Sequence, residues 1–366
     1  MKIDFNILGF TMLVSLSIVS CNKPYYNYET KEIDYVNKLD GTINGEKMDI
    51  EALGLKNFIV YDSLLLSITS NPAGQLSVYS LNSGKKIANL CIEGRARNEF
   101  IDANDITDLV YMNENGHLIV PIIDNYITIK EVDVTESIEK QRTVVISQNR
   151  CLDMYLGSFV LLDNNPRNRF EVIDPYKHET RENKLVPIEY QVISPDSSTK
   201  TIDVFPKQME YETSVIDVIN AYWGVLCKHP SRNFVLQPLM NLDYILFFDF
   251  DKGHNFAIHQ AGTLSFSDEA PDISKYDYYP MRFGDVAFCD DGFFILYYAS
   301  DNPKSSKDLQ YPDVLKFDFE GNFIQGLRMD LPIGRIEYDK TCNRLIGQNM
   351  VDETLYSFDL SEYIAQ

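Results

Sequence analysis

Little in this chain favours metal, redox or nucleic-acid chemistry. Its 366 residues hold a single tryptophan and five histidines. His117, His178, His229, His254 and His259 are scattered, and none stands at zinc spacing from a Cys or Glu, so no transition-metal site is expected. Six cysteines occur without a C-x-x-C pair, which argues against a thioredoxin-like centre. Lys and Arg number 33 against 54 Asp and Glu, a formal net charge of −21. No basic cluster interrupts that acidity, so no nucleic-acid partner is expected, because phosphates require neutralising cations. A basic face for anionic lipid is equally absent. There is no G-x-S-x-G elbow and no Ser and His paired at comparable positions, which leaves serine hydrolysis without support. After the first twenty positions no apolar run approaches the ~20 residues of a membrane span.

What is present starts at the N-terminus. Lys2 precedes an apolar run from Ile7 to Val19, broken by Ser15 and Ser17, too short for a span and typical of a signal peptide. It ends in Ile18-Val19-Ser20-Cys21, which resembles the bacterial lipobox. The expectation is a signal peptide over 1–20 and a diacylated N-terminal Cys21 that anchors the mature chain to the membrane by lipid. Residues 21–45, with Tyr25, Tyr26, Tyr28 and Lys31-Glu32, read as a tether, part of which can serve as a late-closing strand. The remaining cysteines, Cys91, Cys151, Cys227, Cys289 and Cys342, sit in or beside apolar runs. They read as small buried hydrophobes, with one disulfide as the other reading.

From residue 46 to 366 the chain reads as all-β. Short apolar or alternating runs are separated by Asn, Asp, Gly and Ser turns, and 23 Tyr and 21 Phe supply the residues that half-buried strands favour. An apolar-polar-apolar signature recurs at Val78–Leu81, Ile127–Lys130, Phe170–Asp174, Phe247–Phe250, Lys316–Phe319 and Ser357–Leu360. Before each lies a turn and an apolar strand, beginning near Asp62, Asn115, Ser158, Asn233, Asp291 and Asn343. Six pairs across the 345 residues after Cys21 give units of about 58, the size of a four-stranded propeller blade. A six-bladed β-propeller of antiparallel blades follows. Ring closure predicts that residues between Lys31 and Leu55 supply a strand to the blade containing Ile336–Leu360, because an open ring would leave an edge. Asp249-Phe250-Asp251 and Asp318-Phe319-Glu320 superficially suggest calcium loops, but neither completes an EF-hand pattern, and hairpin turns are the better reading.

Three stretches carry a family likeness. Gly94-Arg95-Ala96-Arg97-Asn98-Glu99-Phe100 resembles the G-R-G-P-x-E-F stretch of TolB-like six-bladed propeller lipoproteins of Bacteroidetes, with Ala96-Arg97 departing from Gly-Pro. Lys228-His229-Pro230 and Val314–Asn322 are similar to that family's later blades. The resemblance implies a fold and an address, the cell envelope and its outer membrane, rather than a reaction. Asn22-Lys23-Pro24 lacks the acidic residues of a surface-export signal, which leans towards the periplasmic face.

The most informative charge pattern lies just before each apolar second strand. An acid recurs in the run expected to be innermost in its blade: Asp108, Asp153, Asp217, Asp285 and Glu337, with Lys56-Asn57 in the first blade. Strand alternation would turn these acids to the central channel. They can accept backbone N–H bonds from the neighbouring blade, or converge where a cation enters, calcium being the one cofactor this would admit. Lys56, Arg282 or Arg335 could neutralise part of such a ring. Tyr276, Tyr278 and Tyr279 form a loop cluster fit for contacts, whereas Trp223 reads as core. Two functions compete: a binding or scaffolding module for a protein, peptide or glycan, and a channel-sited divalent-cation-dependent hydrolase or lactonase.

Overall fold

The structure, a computed structural model, describes residues 29–50, 54–150, 156–165, 167–173, 189–204, 224–262, 281–300 and 311–363. The signal peptide, Cys21, Cys151, Asp153, Asp217, Trp223 and the Tyr276, Tyr278 and Tyr279 cluster lie outside them.

Six antiparallel sheets are strung along the chain as the blades of a propeller. Blade 1 shows the plan: Leu55–Tyr61 innermost, then Leu64–Thr69, Leu76–Ser80 and Lys86–Leu90 outermost. All six apolar runs and all six signature runs form strands; in blades 4 to 6, for example, the signatures are the third strands Tyr244–Asp249, Asp313–Asp318 and Leu355–Asp359, whereas in blade 3 the two runs form Leu156–Leu161 and Arg169–Ile173, the first and second strands of the described sheet. The second strands are apolar on both faces because each is sandwiched between two blades; Leu65, Leu66 and Ile68 are wholly buried. The core is accordingly six wedges, one at each junction between successive blades. Among the described residues the wedge between blades 2 and 3 is the smallest, with Leu109, Ile129 and Leu161 as its buried members. Among the described residues one short helix, Val134–Lys140, stands between the third and fourth strands of blade 2, and Asp133 caps it by accepting from Glu136 N.

The ring is closed by a strap from the N-terminal side. Strand β1 (Glu29–Ile33) lies parallel to His254–Gln260 on the outer edge of blade 4. Strand β2 (Gly41–Ile43) lies parallel to Phe323–Met329 on blade 5. Strand β3 (Gly45–Lys47) pairs antiparallel with Leu355–Asp359 of blade 6. The expected closure strand is therefore present in the last blade. Two more strands precede it, and residues 29–45, allotted by sequence to a tether, lie against the disc instead. Three outer edges lose their free N–H and C=O groups to this strap. At Gly45, the first residue of β3, a Cβ would stand 2.7 Å from Leu331 Cδ1 and 2.8 Å from Phe358 Cε1, so any larger residue would have to displace these side chains.

The Gly94–Phe100 stretch forms a self-capped loop between blades 1 and 2. Gly94 N donates to Phe100 O at 3.0 Å, and Glu99 Oε2 accepts from Ala96 N at 2.8 Å. The two acid-aromatic-acid segments are turns: Asp249 Oδ1 accepts from Lys252 N, and Asp318 Oδ1 from Glu320 N and Asn322 N. Cys91 and Cys289 are buried as expected; Cys342 is not, because it sits exposed on the turn after Ile333–Asp339, and Cys227 is half-buried on the channel wall. Each of these four thiols is free.

Candidate functional site

A cavity of about 1240 Å³ runs into the ring, and described residues of all six blades line it. Asp105, Asp108, Asp285, Arg335 and Glu337 share its wall with Lys56 of blade 1. Three of the five acids expected there are thus brought together, while Asp153 and Asp217 lie outside the described residues. In blade 4 the innermost described strand is Cys227–Lys228.

Each of the three bridges to a different blade. Asp285 Oδ2 accepts from Ile336 N of blade 6 at 3.0 Å. Asp108 Oδ2 accepts from Lys228 N of blade 4 at 2.7 Å. Glu337 of blade 6 accepts from the backbone of Val60 in blade 1. Asp108, Asp285 and Glu337 are therefore inter-blade acceptors, as one of the two readings drawn from sequence expects, and they also line the channel. Simple alternation did not predict this reliably, because the innermost strands slip register between Leu55 and Asn57, Phe283 and Val286, and Ile333 and Arg335. Such bulges re-aim side chains, here beside Lys56, Asp285 and Arg335.

Of the three cations expected to neutralise the ring, one does so. Lys56 Nζ instead holds Asp102 at 2.8 Å, and Arg282 faces Asp243 at 3.4 Å. Arg335 lowers the pKa of Asp105, Asp285 and Glu337 through space. Burial outweighs it: desolvation pushes Asp105 up to about 6 and Asp108 up to about 7, and raises Asp285 and, further, Glu337. Asp108 is deep in the ring yet solvent-exposed along the void, so channel water screens part of that penalty. Burial also raises the Cys227 thiol well above its usual range, and neighbouring Asp108, Asp285 and Glu337 add to it. That thiol is a poor nucleophile.

These shifts fix a sign. An acid with a raised folded pKa keeps its proton in the fold at pH values where the unfolded chain has lost it, so stability declines as pH climbs from about 4 to about 7. Combining Asp108→Asn with Asp285→Asn, which keeps both N–H acceptors, should flatten the fall in melting temperature between about pH 5 and 8. Thermal melts with an unaltered slope in the double variant would remove the acids as the titrating groups.

Sequence reasoning missed three lining residues. Asp105 closes no visible motif, although its Oδ1 accepts from the adjacent Ile106 N at 2.9 Å. Thr107 lines the cavity, and its buried Oγ1 has no hydrogen-bond partner. Tyr126 stands at the lining with 69% exposure. It shares a hairpin turn with Asn125, at φ 61° and 51° respectively. Asn is common in that left-handed region, but Tyr is an outlier there. Tyr126 N is held by Asn104 Oδ1 at 3.0 Å.

A second cluster, His117, Asp133 and Glu136, brings three ligand-type atoms within 4.8 Å of one another. Its groups are engaged: Asp133 Oδ2 holds His117 Nδ1 at 2.8 Å, Asp133 Oδ1 caps the helix, and Glu136 pairs with Lys140.

No protein-family model matches the chain, and no curated protein matches it. Many solved structures do. A Bacteroides fragilis NCTC 9343 protein of solved structure is 10% identical over 90% of this chain and 98% of its own, with TM-score 0.49. The β-propeller domain of Cps50 (Swd1) from Myceliophteria thermophila is 10% identical over 86% and 99%, TM-score 0.44. The Pan2 WD40 domain of Neurospora crassa is 10% identical over 84% and 78%, TM-score 0.40. No helix among the described residues is long and apolar enough to cross a membrane.

Proposed function

We propose that the protein is a lipid-anchored binding module of the cell envelope, held at the outer membrane through Cys21, that receives a protein, peptide or glycan partner at the mouth of its channel. The observation that carries this reading is the cavity itself: about 1240 Å³, lined from every blade, with the exposed ring of Tyr126 at its wall. The TolB-like resemblance of Gly94–Phe100 supports the address. The one thiol among the described lining residues is held protonated, which favours binding over thiol-based hydrolysis.

Two measurements test it. Cys21→Ser should abolish metabolic labelling with a radiolabelled fatty acid and release the protein from membranes; labelling that persists removes the anchor. Glycan and peptide arrays probed with the intact chain should give a signal that Tyr126→Ser reduces at least tenfold. Turnover of lactone or ester substrates that depends on added calcium would replace the binding module with the hydrolase reading.

A further inference from the structure

We propose that the protein meets its partner on one apolar end of the disc, around the mouth of the channel, that this partner is a polypeptide presenting apolar side chains, and that the lipid anchor holds this end away from the bilayer. The proposal deepens the binding reading and rests on it. The two ends of the disc differ. At one end lie the turns after the first and third strands of the blades, and polar contacts tie them together across blades. Thr341 Oγ1 donates to Asp62 O at 3.3 Å, Lys340 pairs with Asp290 at 2.8 Å, and Lys252 pairs with Glu320 at 3.5 Å. The opposite end holds the turns after the second strands and the connections between blades. It carries most of the large hydrophobics that stay exposed among the described residues: Ile92 and Ile101 between blades 1 and 2, Tyr126 on blade 2, Val225 before blade 4, Tyr311 on blade 5, and Met350 with Val351 on blade 6. At the charged end Met112 is their counterpart among the described residues, and others, such as Ile87 and Ile146, lie on outermost strands. Hydrogen bonds keep Ile92, Ile101 and Tyr126 close together, since Phe100 N donates to Ile92 O at 3.0 Å and Asn125 N to Asp102 O at 2.8 Å. Tyr126 and Val225 also line the cavity, so the apolar surface runs up to its mouth.

What covers this surface follows from its chemistry and from where the chain enters. Exposed apolar groups gathered on one face mark interaction sites. Aliphatic side chains such as Ile92, Ile101 and Val351 offer no hydrogen bonds. They suit the apolar core of a protein–protein contact better than the hydroxyls of a glycan, each of which asks for a hydrogen-bonding partner. The bilayer is the other apolar surface at hand, and the strap argues against it. β1 runs parallel to His254–Gln260 with Glu29 opposite Phe256, and Lys31 Nζ donates to Glu320 O at 3.1 Å, so β1 begins at the charged end. Glu29 is eight positions after Cys21, a reach of about 28 Å when fully extended. A seven-residue strand such as Leu55–Tyr61 rises about 23 Å, so laying the apolar end on the bilayer would use nearly the whole tether. With the charged end towards the membrane no such extension is needed.

The orientation is read from the intact acylated chain on vesicles of phosphatidylethanolamine and phosphatidylglycerol doped with a nitroxide-headgroup lipid. Cys342 is exposed at the charged end and takes a thiol-reactive fluorophore; Val351→Cys in a Cys342→Ser background labels the apolar end. Quenching is expected to be at least twofold stronger at Cys342. Equal or reversed quenching would place the apolar end on the bilayer and overturn the proposal. The same vesicles without quencher, laid on an array of end-blocked peptides graded in Leu, Ile and Phe content, should give a signal above protein-free vesicles that rises with that content. Ile101→Ser with Val351→Ser should lower the signal at least fivefold while moving the melting temperature by under about 2 °C. Met112→Ser, at the exposed apolar residue of the charged end, should leave the signal within twofold of wild type. The proposal is overturned if polar and apolar peptides bind alike or if Met112→Ser weakens binding as much as the double variant. It is equally overturned if the double variant melts markedly lower, because the chain itself then covers this end, or if sedimentation shows a dimer that the double variant dissociates, because the occupant is then a second copy. Capture of a glycan that depends on Tyr126, with apolar peptides inert, would remove this partner and keep the binding module. Fatty-acid labelling that persists in Cys21→Ser would remove the anchor and the orientation drawn from it, leaving the array to decide the partner.

Discussion

Tyr35→Ala is expected to lower stability by about 3–5 kcal/mol, the range for deleting a large buried aromatic, and the melting temperature by on the order of 10 °C. Tyr35 lies between β1 and β2 on the strap, and it is completely buried in the wedge between blades 4 and 5. Its ring meets Tyr297 edge-on at 5.5 Å, Phe317 edge-on at 5.7 Å and Phe283 at 6.2 Å, each such pair adding to the area it buries. Gln260 Oε1 accepts from Tyr35 N and Val36 N at 3.0 and 3.1 Å, so the backbone is clamped at the same point. Losing the ring loosens the join between two blades and the strap along both. Deleting residues 22–48 should have a larger effect still, because it also uncovers three sheet edges and the closure strand. Differential scanning fluorimetry of Tyr35→Ala is the check, with Tyr35→Phe as the conservative companion. A melt within about 2 °C of wild type would mean that the strap is an appendage rather than part of the ring.

That strap is also the clearest measure of what the sequence disclosed. Two strands of every blade announce themselves, because burial on both faces forces an apolar run such as Leu64–Thr69 or Tyr244–Asp249. β1 and β2 carry no such mark. Glu29–Ile33 is mostly exposed or half-exposed, and a parallel edge strand is specified by its partner's free hydrogen bonds rather than by its own side chains. Closure could be foreseen from topology, but the two additional strands could not. In the channel the recurrence of Asp108, Asp285 and Glu337 was visible, since a repeated fold repeats its polar positions. Asp105, Thr107 and Tyr126 were hidden because bulges break the period of two in neighbouring inner strands and because the left-handed turn at Tyr126 has no compositional signature like Asn-Gly.

Breaking the Lys130–Asp124 pair from either side is expected to cost about 3–5 kcal/mol, while replacing both partners should restore most of that loss. Lys130 Nζ lies 2.8 Å from Asp124 Oδ2, and the two side chains are 5% and 4% exposed. The pair sits at the join between blades 1 and 2. Asp124 Oδ1 accepts from Ile101 N and Asp102 N at 2.9 and 3.0 Å, and the lysine donates to Glu99 O and lies 4.6 Å over the Phe100 ring. It therefore locks the Gly94–Phe100 loop to the body of blade 2. Asp124→Asn keeps the two backbone bonds but leaves a buried ammonium without its counter-ion, and Lys130→Met leaves a buried carboxylate. With both changes no charge is buried, methionine fills the volume of the lysine stem, and asparagine still accepts from Ile101 and Asp102. Denaturant melts of the two single variants and the double variant form a cycle whose coupling energy should exceed about 2 kcal/mol. Additive losses would instead assign the stability of this join to the backbone bonds and to Phe100 packing, with the charges contributing nothing to one another.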